Sequence, residues 1–113
     1  MNFQHKLQSN GKWNSRSFLE QMANIGSEVE RTISWKKKGN DEYSEKAFEH
    51  SLELFDLTLN AKNLTPSQTK EVARAREMWV DFIKYDNEYN CTDKHWRDYF
   101  LQLLILYKMN STS

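Results

Sequence analysis

Only three glycines and one proline punctuate the 113 residues of this chain. A sandwich or barrel needs turn residues at short intervals, so their scarcity excludes most all-β designs and leans towards helix. A single cysteine, Cys91, excludes an intramolecular disulfide framework and fits a reducing, cytoplasmic setting. Charge of one sign is missing too. Sixteen basic and sixteen acidic side chains cancel, so no whole-chain field announces a nucleic-acid binder, and such a partner stays open but unsupported by charge. No apolar run approaches the roughly 18–20 residues that span a bilayer, so no membrane partner is expected. The start, Met1-Asn-Phe-Gln-His-Lys-Leu-Gln, lacks the apolar centre of a signal peptide. Length alone allows one domain with one ordinary core.

Metal and cofactor chemistry is poorly provisioned. The histidines are His5, His50 and His95. A di-iron bundle needs Glu-x-x-His twice, whereas Ala47 precedes His50 by three residues and Thr92 precedes His95. Asp86-Asn-Glu-Tyr-Asn-Cys-Thr-Asp93 is rich in oxygen ligands, yet it has no glycine at the sixth place and Arg97 where a calcium loop carries glutamate. Cys91 has no zinc-binding companion, and glycine-rich phosphate loops are absent. Neither metal nor cofactor is expected.

What is present is helical periodicity. Residues 1–16 show no sustained period. They carry Lys6, Lys12 and Arg16 without an acid, which reads as a weakly ordered basic arm with Phe3, Leu7 and Trp13 available for docking. Ser17 followed by Glu20 is a capping-box pattern. Phe18, Met22, Ile25, Val29 and Ile33 then recur at helical spacing, and Lys36–Lys38 before Gly39 close a first helix of about 17–38. Asn40 caps a second helix, about 41–61, whose apolar face is Tyr43, Ala47, Phe48, Leu52, Phe55 and Leu59. Its other face, Glu42, Glu45, Glu49, Glu53 and Asp56, is acidic, and is either solvated or a docking surface for a basic partner. Thr65-Pro66 with Gln68 starts a third helix, about 66–84, lined by Val72, Ala75, Trp79, Phe82 and Ile83. After a polar loop, Thr92 caps a fourth, about 93–108. Its last turns are apolar nearly all round, as suits a central helix or half of a helix-mediated homodimer, and 109–113 is a tail. Short connections between four helices predict an up-down bundle filling 17–108.

Two groups stand apart from the core pattern. On helix one, Glu28, Arg31 and Trp35 fall on the polar side, with Arg31 and Trp35 spaced for a cation–π contact. On helix three, Arg74, Glu77 and Asp81 share a polar face. Arg76 borders the apolar face, where it would snorkel or pair with an acid of helix two or with Glu28.

The run Asn24–Asn40, with Tyr43–Glu49 and Leu52–Leu57, Arg76-Glu77, Asp86–Tyr89 and Thr92-Asp93, resembles a small prokaryotic all-helical family without an assigned activity. The resemblance covers about residues 20–100 and implies a cytoplasmic bacterial, archaeal or mobile-element protein. Arg76 followed after four residues by Asp81, with Tyr85 close behind, is also similar to the motif of HEPN domains, helical bundles of prokaryotic toxins and defence nucleases that often dimerise. Those ribonucleases carry a histidine after the arginine. This chain has Asp81 there, which near neutral pH has no proton to give, so the resemblance implies a HEPN-like bundle lacking the catalytic histidine.

The expected function is a non-enzymatic helical interaction or adaptor module, a subunit of a larger complex of defence or toxin–antitoxin type. Its protein-binding surface combines Glu28, Arg31, Trp35, Arg74, Arg76, Asp81, Asn87 and Glu88. The alternative is a HEPN-like ribonuclease using Arg74 or Arg76 with Asp81, and a small-ligand sensor is a third class.

Overall fold

A computed structural model describes residues 16–111, which form four α-helices: α1 Phe18–Lys37, α2 Asp41–Leu59, α3 Pro66–Lys84 and α4 Asp93–Ser111. The expected four-helix bundle is the observed architecture. The proposed basic arm, apart from Arg16, and the last two residues of the expected tail lie outside the described residues. Helix α4 runs three residues past its expected end at 108, because no glycine or proline interrupts it there.

Local chemistry sets the helix ends. The Ser17 hydroxyl accepts from the Glu20 amide, but the Glu20 carboxylate turns to Arg16 instead of completing the box. At the far end of α1 the amide of Asn40 reaches the carbonyl of Trp35 and that of Gly39 reaches Lys36. This double closure requires a left-handed residue, and Gly39 supplies it with φ of +79°. Asn40 then caps α2 through the Tyr43 amide. Thr65, Pro66 and Gln68 form the complete reciprocal box at α3, and Thr92 caps α4 through the His95 amide.

Each helix is antiparallel to its neighbours. Along α1 and α4, Lys37 meets Asp93, Glu30 meets Arg97 and Gly26 meets Phe100. Between α2 and α3, Glu45 pairs with Lys84, Ser51 bonds Trp79 and Asp56 pairs with Arg76. Trp79 and Trp96, edge to face with centroids 5.3 Å apart, close the ring between α3 and α4. Around them lie Met22, Ile25, Val29 and Ile33 of α1, Phe48, Leu54 and Phe55 of α2, Val72 of α3 and Phe100 of α4.

The α1/α2 contact differs from the expected pattern. Ser44, Ser51 and Thr58 of α2 are buried, as are Gln21, Glu28 and Thr32 of α1; Ser44 bridges the two helices, while Ser51 also faces Trp79 of α3. The hydroxyls are satisfied by helical carbonyls: Ser44 donates to Thr32, Thr32 to Glu28, Thr58 to Leu54 and Ser51 to Phe48. Small back-bonded residues let the two backbones approach, while Tyr43, expected on the apolar face, is half exposed against the edge of Trp35.

Candidate functional site

The residues singled out by sequence do not form one surface. Glu28, Arg31 and Trp35 belong to α1, which packs on α2 and α4. Arg76 and Asp81 belong to α3, diagonally across the bundle.

Glu28, expected on the polar side of α1, is buried at 8 % exposure in the α1/α2 seam. One carboxylate oxygen accepts from Arg31 Nη1 at 2.7 Å. The other, Oε1, makes no hydrogen bond among the described residues and lies 3.9 Å from His50 Nδ1. Arg31 therefore serves Glu28, and the cation over the Trp35 ring is Lys38, 5.0 Å from its centroid. Tyr43 covers Trp35 from α2, so its cover is in part internal.

On α3, Arg76 Nε donates to Asp56 Oδ1 at 2.9 Å, an acid of helix two as one of the two expected pairings had it. With the Lys84–Glu45 pair it turns part of the acidic face of α2 into an ion-pair seam against α3. Asp81, 9 % exposed, organises the loop that follows: its carbonyl accepts from the amides of Tyr85 and Asn87, and its carboxylate accepts from the Tyr89 amide. Asn87 completes the loop. It sits at φ of +54°, and its side-chain amide both donates to the Cys91 carbonyl and accepts from the Cys91 amide. Burial and the nearby Asp81 carboxylate push the Cys91 thiol up from its ordinary pKa, which disfavours the thiolate.

Arg76, Asp81, Tyr85, Asp86 and Glu88 line an open cleft of about 490 Å³ between α3 and this loop. Arg74 points elsewhere, lining a smaller recess with His95, Trp96 and Tyr99 on the α4 side. Acids dominate the cleft, but among the described residues no three histidine, cysteine or carboxylate side chains converge as a metal site.

Sequence reasoning missed a second, wider recess. A groove of about 690 Å³ runs between α1 and α4, floored by Ala23, Gly26, Phe100 and Leu104 and flanked by Glu30 and Arg97. Those two form a double hydrogen bond of 2.8 and 3.0 Å, which holds the Glu30 carboxyl below the usual glutamate range. Beside the groove the outer face of α4 exposes Leu101 at 51 %, Ile105 at 48 % and Met109 at 63 %. The signal for that exposed face was Leu101 with the apolar run 103–106, which left the last turns of this helix apolar nearly all round. No described helix is long and apolar enough to cross a membrane.

Neither a family model, a curated protein nor a solved structure matches the chain.

Proposed function

We propose that this chain is a non-enzymatic interaction module of adaptor type, a subunit of a larger assembly. Its working surface is the outer face of α4 together with the groove beside it. One observation carries the reading: Leu101, Ile105 and Met109, at successive four-residue steps, form an exposed apolar ridge next to a mostly apolar groove. Contiguous apolar surface of this kind marks interaction sites in monomeric domains, and an amphipathic helix is the partner chemistry that such a groove accepts. A prokaryotic or mobile-element assembly, of defence or toxin–antitoxin type, is the setting that the resemblance implies.

A ribonuclease would need Arg76 and Asp81, which border one cleft, to be available to the same substrate. Asp56 engages the first and the Tyr89 amide the second, so the interaction reading is preferred.

The test is capture of a partner from native cells, followed by direct binding of that purified partner to variants. Leu101→Glu and Ile105→Glu should each weaken binding by at least about tenfold while the circular dichroism spectrum and melting temperature stay near those of the parent. Arg31→Ala and Asp81→Asn report whether the α1 edge or the α3 cleft contributes. Unchanged binding in both α4 variants removes α4 as the working surface.

A further inference from the structure

The exposed face of α4 has a second regularity. Lys94, Asp98, Leu101, Ile105 and Lys108 follow one another at spacings of four, three, four and three, the interval that keeps one seam facing a partner helix. All five are exposed. Two copies of this seam laid antiparallel, with the two-fold axis between Leu101 and Ile105, set Leu101 of one copy against Ile105 of the other. The same register sets Asp98 against Lys108 twice, once on each side of the axis. Leu104, half-buried at the edge of the groove, then lies beside its own counterpart. A parallel pairing would put Asp98 against Asp98 and Lys108 against Lys108, so the charges select the antiparallel arrangement.

We infer that the occupant of the α4 face is a second copy of this chain, joined by an isologous, antiparallel α4–α4 contact. The apolar pair at the centre supplies adhesion, and the two Asp98–Lys108 pairs set direction and register. The Lys94–Asp98 contact within one copy, both groups well exposed, leaves Asp98 positioned on the same ridge. The inference rests on the interaction reading and narrows it to one partner.

The experiment is sedimentation equilibrium of the full chain across a concentration series. Parent protein should dimerise, and Leu101→Glu with Ile105→Glu should give a monomer with an unchanged helical spectrum. Asp98→Lys and Lys108→Asp should each weaken the dimer by about tenfold, since two symmetry-related pairs become like-charged contacts. The double variant D98K/K108D, in which every pair is restored with reversed sign, should return to within about threefold of the parent. A parent that stays monomeric overturns the inference, as does a dimer that D98K/K108D fails to rescue. If the parent is monomeric yet the α4 variants still lose a captured partner, the second copy falls and the interaction module stands.

Discussion

Glu28 Oε1 faces His50 Nδ1 across the α1/α2 seam at 3.9 Å, too long for a hydrogen bond, while Arg31 holds the other carboxylate oxygen from the solvent side. A carboxylate with a tenth of its side chain exposed and one oxygen unbonded contributes little to stability. Glu28→Leu is therefore expected to be neutral or to raise stability by up to about 2 kcal/mol, with Arg31 turning into water. Arg31→Ala, by contrast, leaves the buried carboxylate without its donor and should cost about 1–2 kcal/mol. Urea denaturation of both variants checks this ordering. If Glu28→Leu proves the more damaging of the two, the Glu28–His50 approach carries stability that its distance does not suggest.

Trp79 and Ser51 make a second buried polar contact, the indole N–H donating to the hydroxyl at 2.9 Å. Ser51→Ala removes the acceptor and leaves a wholly buried donor, which costs about 1–3 kcal/mol. Trp79→Phe removes the donor and loses ring volume among Phe48, Phe82 and Trp96. The double variant should cost less than the two singles added together, with a coupling of about 1 kcal/mol. Strict additivity would show that the bond contributes nothing of its own.

The helices and their caps were legible because capping is local chemistry: Thr65 and Gln68 lie within four residues and bond each other, with Pro66 at the first helical position between them. The polar seam was not. Ser44, Ser51 and Thr58, or Gln21, Glu28 and Thr32, read as outward-facing in any single-helix pattern, since only the neighbouring helices supply the reason for burying them. Their seven-residue spacing, at Ser44, Ser51 and Thr58 and again at Gln21 and Glu28, was the available signal. At the candidate sites, the Arg76 pairing with helix two was foreseeable in kind, because an arginine at the border of an apolar face needs an acid. The roles of Asp81 and Asn87 in folding the loop were hidden, since bonds made within an irregular loop, although they span only four to eight residues, leave no periodic trace. The α1/α4 groove depends on how two helices far apart in sequence diverge, and no property of either helix alone records that.

Gly26 is the glycine that such packing explains. A Cβ placed there would stand 2.9 Å from the Cβ of Phe100, so α1 and α4 touch at this point without room for a methyl group. Alanine would gain about 1 kcal/mol of helix propensity, but overpacking costs about 1–3 kcal/mol, and the neighbouring atom is next to the backbone and cannot swing away. Gly26→Ala should therefore lower the melting temperature. Adding Phe100→Gly, which removes that Cβ as well as the ring and is itself costly, should make the Gly26→Ala step stabilising. The sign change is read from the two thermal shifts, and its absence would mean that the helices separate freely here.

The Glu30–Arg97 pair ties the same two helices through charge, which makes its contribution dependent on pH. The Arg97 guanidinium holds the Glu30 carboxyl below its ordinary range. Folding therefore favours the ionised form, and the stabilisation is present above the ordinary glutamate value and fades as the pH falls through the lowered one. Both groups are substantially exposed, at 49 % for Glu30 and 37 % for Arg97, so solvent screening limits the effect to about 0.5–1 kcal/mol. Glu30→Gln should accordingly lower the urea midpoint at pH 7 and leave it nearly unchanged at a pH low enough to protonate Glu30. The difference between parent and variant should shrink again in about 1 M salt, where the screening length falls to roughly 3 Å. A gap that persists at low pH would show that the contribution of Glu30 does not come from its charge.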